Sequence, residues 1–381
     1  MFSVCGRAER PASRRGPAEA WTWRIQNTLP GLPDRPAGIR AHRAKLAGER
    51  IGGRRLRLLV TGAAGYIGSV VTERLLERRH EVLALDSLKY GHRAAVHPDA
   101  EFLRADILDS GALDEALRDR AVDAVIHLAA ESRVDLSAQD PGLFFKVNVA
   151  GGIELLEAMH RAGISTLVFS STAAVYGEPD TVPIPDDAPC NPVNAYGESK
   201  LQFERVLHWY RLCHGLRFVS LRYFNACGAS ARFGEWRKHE THILPILFEA
   251  ALGNSAVFRL FGEDYPTPDG TCVRDYVHVL DVADAHVLAL ERIDEADGRA
   301  YNVGTGRGYS NLEVIRAVEA VTGKSLNVEA APRRPGDPAR LVAANARIRD
   351  ELGWSPTYAD LESMVHSAWS WRLENPRGYE E

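Results

Sequence analysis

The sequence predicts an α/β fold, a doubly wound parallel sheet followed by a smaller C-terminal α/β region. Between Arg57 and Gly177, apolar runs rich in Val, Ile and Leu alternate with amphipathic stretches of helical length. Strands that are apolar throughout are typical of a parallel sheet covered on both faces, and such strands need helical crossovers. With 381 residues, 45% of them hydrophobic, the chain is long enough for one large domain or two closely packed domains.

The elements follow one another in a regular order. Strands are predicted at 56–62, 80–86, 122–130 and 166–177. The intervening helices are predicted at 69–78, 113–119 and 149–163. The strand segments are apolar throughout, whereas the helical segments are amphipathic. The spacing of apolar residues therefore alternates between that of buried strands and that of helices along this part of the chain.

Composition excludes several classes of protein. A net charge of -5 gives no basic field, so we expect no nucleic-acid partner. No apolar run reaches the roughly 18 to 20 residues that span a bilayer, and we expect no membrane segment. The cysteines are odd in number, scattered and outside CxxC pairs, which indicates reduced thiols, a cytoplasmic protein and no structural metal. They are Cys5, Cys190, Cys213, Cys227 and Cys272.

Residues 1–54 differ from the rest, being rich in arginine and proline without a hydrophobic period. This composition predicts disorder. The early arginines also suit an organelle transit peptide, but Glu9 and Glu19 interrupt them. We favour a leader without a role over a transit peptide.

A glycine-rich turn points to a dinucleotide. Three glycines follow the first strand and open a helix, which lets backbone approach a pyrophosphate and presents the free N–H groups of the helix start. They are Gly62, Gly65 and Gly68. Asp86 ends the second strand about 20 residues later, where a carboxylate accepts from ribose hydroxyls and repels a 2′-phosphate. We therefore expect a Rossmann-type site for NAD rather than NADP, although Lys89 and Arg93 lie close enough to complicate that choice.

A second motif predicts a proton-transfer site. Tyr196 and Lys200 are four residues apart, so a helix places them on one face. A free phenol has a pKa of about 10, and a neighbouring ammonium with a positive nicotinamide would stabilise the phenolate as a general base. Thr172, at the end of a strand, would hydrogen-bond the reacting hydroxyl, with Ser171 as its competitor for this role. The alternatives are a solvated helix face and a strand residue with a satisfied hydroxyl.

The glycine spacing and the YxxxK motif resemble the extended branch of the short-chain dehydrogenase/reductase superfamily, from about residue 56 onwards. The resemblance implies an NAD-binding domain at 55–224 with a return segment at about 276–302, and a substrate-binding domain at 225–275 and 303–375. It implies that Asp106 and Ile107 hold the adenine, although Asp106 could equally cap a helix. The cofactor-binding residues it implies are Gly62, Gly65, Tyr66, Ile67, Gly68, Asp86, Asp106, Ile107, Leu128, Ala129, Ala130, Asn148, Ser170, Tyr196, Lys200 and Phe224.

The C-terminal half resembles the UDP-glucose 4-epimerase family. The resemblance lies in LRYFNACGAS (221–230), ETHILP (240–245), the stretch 258–290 and APRRPGDPARL (331–341). It implies interconversion of UDP-glucose and UDP-galactose through a 4-keto sugar, with NAD as a resident cofactor. The substrate-binding residues it implies are Thr172, Tyr196, Asn225, His242, Ile243, Phe261, Arg274, Arg334 and Asp337. Guanidinium groups suit a diphosphate, but Arg274 could instead form a surface ion pair with Asp275, and 333–337 could be only a turn.

One stretch departs from the family pattern. Ser132 stands near the position where these epimerases usually carry a lysine, and the local sequence is closer to a nucleotide-sugar 4,6-dehydratase. Dehydration needs an acid and a base directly after the catalytic threonine, whereas Ala173 and Ala174 follow Thr172 here and transfer no protons. We therefore reject a dehydratase. Leu341 corresponds to a residue that limits 2-acetamido sugars in this family, and its intermediate size predicts some turnover of UDP-N-acetylglucosamine.

Other hypotheses stay open. A UDP-pentose or UDP-uronate 4-epimerase would use the same catalytic residues. A non-catalytic NAD-binding regulatory protein could share the fold, but the chain keeps all three catalytic side chains. The resemblance further implies a homodimer that packs through helices near 145–162 and 196–213, although amphipathic helices also pack within a monomer.

Overall fold

A computed structural model describes residues 54–118, 120–334 and 337–380 of the chain. The prediction of disorder for the N-terminal segment therefore falls outside the described residues. Within the described ranges, no helix is long and apolar enough to cross a membrane.

A seven-stranded, entirely parallel sheet forms the centre of the large layer, in the order β10-β6-β5-β4-β1-β2-β3. Its strands are β1 (Arg57–Thr61), β2 (Glu81–Asp86), β3 (Glu101–Arg104), β4 (Ala124–His127), β5 (Thr166–Thr172), β6 (Arg217–Tyr223) and β10 (Arg299–Val303). This sheet confirms the predicted fold class. The edge strand β3 was not predicted, because its four residues are half-buried or exposed and lack an apolar run.

Helices cover both faces of this sheet. They are α1 (Tyr66–Glu77), α2 (Ser110–Leu117), α3 (Val134–Ser137), α4 (Pro141–Phe144), α5 (Gly152–Arg161), α6 (Ala195–His214), α8 (Val279–Glu291), α9 (Ile293–Ala296) and α11 (Ala346–Leu352). Along β1, Leu58 and Val60 pack in one core with α1 and α8, while Leu59 packs in the opposite core with α2, α5 and α6. Alternate residues of a strand point to opposite faces, so a strand covered on both sides is apolar throughout.

Two predicted elements differ from the structure. The predicted strand 166–177 stops at Thr172, because the Thr172 hydroxyl accepts from the backbone N–H of Ala174 and starts a 3₁₀ turn at Ala173–Tyr176. Gly177 then adopts a φ of +63°. The predicted helix 149–163 is α-helical only from Gly152, since Phe145–Gly151 forms a π-helical segment.

The remaining strands and helices build a smaller layer. Strand β9 pairs with β7, β11 and β13, and β8 pairs with β12. The strands are β7 (Asn225–Cys227), β8 (Phe258–Phe261), β9 (Val273–His278), β11 (Gly308–Ser310), β12 (Val328–Ala331) and β13 (Arg340–Leu341), and the helices are α7 (Ile243–Ala251), α10 (Asn311–Thr322) and α12 (Leu361–Glu374). A separate hydrophobic core lies beneath these helices.

A fully buried carboxylate, that of Asp275 in β9, joins the loops of the smaller layer. It accepts hydrogen bonds from the Thr305 backbone and hydroxyl (both 2.8 Å), from the Gly306 N–H (2.9 Å) and from the Ala343 N–H (3.1 Å). Burial raises the pKa of this carboxyl to about 6. The suggested surface ion pair between Arg274 and Asp275 is wrong, because Asp275 is buried and Arg274 pairs with Asp337.

We expect Asp275→Asn to lower the free energy of unfolding by about 3 kcal/mol, because an amide N–H₂ would face backbone donors and leave them unsatisfied. Urea denaturation at neutral pH measures this change. Asp350→Asn is the matched control, since Asp350 is exposed and pairs only with Arg349. Equal stabilities of the two variants would contradict the role of Asp275.

Candidate active site

A cavity of about 750 Å³ lies along the carboxyl edge of the parallel sheet and extends to the smaller layer. Most of the predicted cofactor and substrate residues line it. They are Gly62, Gly65, Tyr66, Ile67, Gly68, Asp86, Asp106, Ile107, Leu128, Ala129, Ala130, Thr172, Tyr196, Lys200, Phe224, Asn225, His242, Arg274 and Asp337. Parallel strands end at the same edge of a sheet, and this is why residues from distant parts of the chain meet here.

Five predicted residues lie outside the lining of this cavity. Asn148 bonds to the backbone of Glu131 and donates to Ser199. The Ser170 carbonyl accepts from Lys200. Both residues therefore contact residues near the cavity without lining it themselves. The others are Ile243, Phe261 and Arg334. Ile243 begins α7 and packs against the core of the smaller layer. The Arg334 guanidinium lies 4.1 Å from the centre of the Phe261 ring.

The glycine loop leaves no room for side chains. Gly62 has a φ of +73°, and a Cβ placed there would lie 2.7 Å from the Ala129 nitrogen. A Cβ on Gly68 would lie 2.0 Å from the Gly62 carbonyl oxygen. No side chain caps the start of α1 at Gly65, so its first N–H groups remain for an anion. This geometry fits the pyrophosphate of a dinucleotide.

The acidic side chains at this edge accept hydrogen bonds from different backbone groups. The Asp86 carboxylate accepts from the Leu88 and Ala64 backbones at 2.8 and 3.0 Å, and burial raises its pKa. Asp106 accepts from Leu108, whereas Asp109 caps α2, so Asp106 is not the helix cap.

The two cations that complicated the choice of cofactor are both engaged. Lys89 donates to Glu131 at 2.5 Å, and Arg93 packs 4.6 Å over the Phe102 ring. Neither cation pairs with Asp86 among the contacts of the described residues. Asp86 therefore keeps its negative charge at the position where a 2′-phosphate would lie, which favours NAD.

Tyr196 and Lys200 enter the cavity from the first turns of α6, which Asn194 caps through the Gly197 N–H at 2.8 Å. The Lys200 ammonium donates to the Ser170 carbonyl at 2.9 Å. Burial lowers the pKa of Lys200 to about 7, although Glu204 acts to raise it. Burial raises the pKa of Tyr196, against smaller lowering effects of Thr172 and Arg237. Burial thus outweighs the Thr172 hydrogen bond and the charge of Arg237, and the chain by itself does not lower the pKa of Tyr196. The predicted effect of a positive nicotinamide on this pKa stays a prediction.

The structure separates Thr172 from its competitor. Thr172 lines the cavity and its hydroxyl interacts with Tyr196. Ser171 is fully buried on the opposite side of β5 and donates to Glu204 at 2.5 Å. Successive strand residues point to opposite faces, so only one of these hydroxyls can reach the cavity.

The end of the cavity next to the smaller layer is lined by the charged residues Arg274 and Asp337 and by the apolar Leu341. Arg274 is buried, pairs with Asp337 and donates to the Val273 carbonyl. The Asp337 backbone N–H donates to the Arg334 carbonyl at 3.3 Å, and the Asp337 carboxylate is the ion-pair partner of Arg274. Leu341 pairs with Arg274 between strands β13 and β9, and Asn225 of β7 also lines the cavity.

Sequence reasoning missed a charged segment, residues 235–239, that also lines the cavity. It has no helical or strand period, and long-range contacts hold it: the adjacent Gly234 exchanges two 3.0 Å hydrogen bonds with the Tyr379 hydroxyl, and Arg372 packs 4.6 Å over the Trp236 ring. Nearby, donor atoms of Glu235, Glu240 and His242 lie within 4.8 Å of one another, close enough to hold a metal ion. His242 Nδ1 lies 2.8 Å from Glu240, and Arg237 lies 2.9 Å from Glu235, so both carboxylates already have side-chain partners.

Comparisons with known proteins agree with this geometry. Residues 58–304 match the NAD dependent epimerase/dehydratase family. The UDP-glucose 4-epimerase of Lacticaseibacillus casei is 46% identical over 85% of this chain and 99% of its own length. The enzyme of Streptococcus mutans is 46% identical over 86% of this chain and 99% of its own.

Solved structures agree as well. A crystal structure of UDP-glucose 4-epimerase from Brucella ovis in complex with NAD has a TM-score of 0.80 and 41% identity, covering 83% of this chain and 98% of its own. One from Bifidobacterium longum in complex with NAD+ and UDP has a TM-score of 0.80 and 34% identity, covering 84% of this chain and 99% of its own. The predicted resemblance is thereby confirmed, and the chain belongs to the NAD dependent epimerase/dehydratase family, on its UDP-glucose 4-epimerase branch.

Proposed function

We propose that this protein interconverts UDP-glucose and UDP-galactose by inverting the configuration at sugar C4, with NAD as a resident cofactor. The observation that carries the proposal is the meeting of Thr172, Tyr196 and Lys200 with an uncapped glycine loop in one cavity. Relatives that span most of the chain bear the same activity in their names. The residues at 55–224 and 276–302 would hold the dinucleotide, and those at 225–275 and 303–375 the nucleotide sugar.

The cofactor would lie along the carboxyl edge of the sheet. The start of α1 and the glycine loop would bind its pyrophosphate, Asp86 its adenosine ribose, and Lys200 its nicotinamide ribose. When bound, NAD would supply a hydride acceptor for C4 and, in its reduced form, a hydride donor for the opposite face of the 4-keto sugar. Glu131 and the backbone of Ala129 complete the wall beside it.

Tyr196 would move the proton. Its hydroxyl shares the cavity with that of Thr172, so a sugar hydroxyl between them can donate to one and accept from the other. Because burial raises the pKa of Tyr196, the phenolate forms only when positive charge inside the cavity offsets the burial. The buried ammonium of Lys200 supplies part of that charge on the same helix face.

The UDP end would supply the binding energy. Arg274 offers a planar guanidinium to the diphosphate, and Asn225 lies beside it. A firmly bound nucleotide keeps the 4-keto intermediate captive while the sugar turns to present its other face.

The sugar specificity is a further part of the proposal. Leu341 narrows the lining next to Asp337, and its intermediate bulk favours glucose and galactose with some acceptance of an N-acetyl group. A solved relative from Stenotrophomonas maltophila has formylated UDP-arabinopyranose bound, at 38% identity to this chain. That observation favours pentose turnover as the second candidate function.

We also propose a cytoplasmic homodimer. Trp209 on α6 is 56% exposed, and Leu212 one turn later is also exposed, which is unusual for large apolar side chains of a helix that otherwise packs on the sheet. A second copy of α6, with the segment at 145–162, would cover them.

Purified protein incubated with UDP-galactose, without added NAD, is expected to release glucose after acid hydrolysis. The same analysis on UDP-N-acetylgalactosamine, a UDP-pentose and a UDP-uronate would rank the alternatives. Weak conversion of the N-acetyl sugar is expected because Leu341 is intermediate in size. Failure to convert any of these, even with NAD supplied, would contradict the proposed activity and favour a regulatory NAD-binding protein.

Tyr196→Phe is expected to reduce kcat about a thousandfold, because it removes the proton acceptor and leaves the ring in place. Binding of UDP, measured by calorimetry, should change little. The matched control is Tyr210→Phe on the same helix, whose hydroxyl bonds to Glu157 away from the cavity. Activity near that of the wild type in Tyr196→Phe would exclude Tyr196 as the base.

Thr172→Val and Ser171→Ala should differ in activity. We expect the first to reduce kcat about a hundredfold, since a hydroxyl at the reacting group is lost, and to lower the free energy of unfolding by about 1 kcal/mol, since the cap on the Ala174 N–H is lost with it. The second should keep kcat and lower the free energy of unfolding by about 1 kcal/mol, because buried Glu204 loses a donor. Steady-state kinetics and thermal unfolding of both variants test this, and a larger kcat loss in Ser171→Ala would reverse the assignment.

A further inference from the structure

An ion pair crosses the cavity in front of β1. Lys89 lies in the loop after β2, and Glu131 lies in the loop after β4. In the sheet, β1 separates these two strands. The 2.5 Å bond from Lys89 Nζ to Glu131 Oε1 therefore passes over the carboxyl end of β1, where the glycine loop leads into α1. Both side chains line the cavity.

The two ends of this ion pair are held differently. The Glu131 side chain is 3% exposed, whereas that of Lys89 is 48% exposed. The Glu131 backbone is fixed on both sides, since its N–H donates to Asn148 at 2.8 Å and its carbonyl accepts from Asn148 at 3.0 Å. The carboxylate is therefore the fixed partner and the ammonium the accessible one. An ammonium has three N–H donors, and the contacts of Lys89 with Glu131 and Tyr90 leave one of them for a ligand.

The loop that carries Lys89 is attached to the glycine loop. The His92 N–H donates to the Ala64 carbonyl at 3.0 Å. A Cβ on Gly91 would lie 2.9 Å from both the Cβ and the carbonyl oxygen of Ala64, so the two loops are in close contact. The position of Lys89 is thus tied to the backbone that faces an anion at the start of α1.

We infer that Lys89 binds the pyrophosphate of the dinucleotide, and that the negative charge of Glu131 limits the affinity of the protein for that dinucleotide. The inference rests on the proposed binding of NAD. Lys89 can donate to Glu131 and to a phosphate oxygen at the same time, and a charge-assisted bond to phosphate is a strong contact. Glu131 is fixed near the same phosphates and repels them. The two partners of one ion pair therefore act on the cofactor in opposite directions.

The opposite effects expected of Lys89 and Glu131 on cofactor binding distinguish this inference from an ion pair that only joins two loops. If the ion pair only joined two loops, then loss of either partner would loosen the cavity in the same way. If Lys89 binds the pyrophosphate, then Lys89→Met removes a ligand, while Glu131→Gln keeps the size of the side chain and an oxygen acceptor but removes a repelling charge.

The test measures the rate at which NAD leaves the full-length protein. Wild type and the variants Lys89→Met, Glu131→Gln and the double variant are loaded with NAD, freed of excess by gel filtration and diluted, and released NAD is followed over time. Lys89→Met should speed release about tenfold, Glu131→Gln should slow it, and the double variant should lie between Lys89→Met and wild type. Arg93→Met is the matched control, because it removes one cation from the same loop region but packs on Phe102.

Two further measurements make the outcome decisive. Lys89→Met should weaken binding of ADP and leave that of adenosine unchanged, and thermal unfolding without ligand identifies any variant that fails to fold. The inference holds only if Lys89→Met speeds release and Glu131→Gln slows it. Faster release in both variants identifies a structural ion pair and overturns it, as does an unchanged rate in either. A wild-type protein that retains no NAD overturns the cofactor proposal together with this one.

Discussion

The close approach of backbone segments at the carboxyl edge of the sheet determines the rest of the site. A side chain at Gly62 would overlap the backbone at Leu128 and Ala129, and one at Gly68 would overlap the Gly62 carbonyl. Because both positions are glycine, the loop after β1 lies directly on the end of β4, and α1 begins at the edge with its N–H groups uncapped. The loop after β2 in turn packs on Ala64, and the cavity forms between these surfaces.

The end of β5 shows how one strand serves several parts of the structure. Three successive residues have different partners: the Ser170 hydroxyl lies 2.9 Å from His286, Ser171 donates to Glu204, and Thr172 lines the cavity. Glu204 also holds Arg222 through two bonds of 3.0 and 2.6 Å, in a buried ion pair between α6 and β6. The alternation of side chains along a strand thus keeps structural and reactive hydroxyls apart.

The parallel sheet, the glycine loop and the pairing of Tyr196 with Lys200 could be predicted because each follows from local periodicity or spacing. The charged segment at 235–239 could not, since it has no period and contacts with the C-terminal end of the chain position it, among them the packing of Arg372 on the Trp236 ring. The outer positions of Phe261 and Arg334 were likewise hidden, because the two side chains pack on each other, away from the cavity lining. The direction of the Tyr196 pKa depends on burial, which no spacing of residues reports.

The π-helical segment Phe145–Gly151 has a consequence for how this chain can change over generations. Its wider turn carries Asn148, whose amide holds both backbone groups of Glu131. Removal of one residue would restore the narrower α-helical turn and shift Asn148 away from Glu131. The exposed Ala150 of this segment lies outside the cavity lining and can accept other side chains, whereas Asn148 and the number of residues between α4 and α5 are constrained. We therefore expect substitutions at such exposed positions to be tolerated and deletions in this stretch to be harmful.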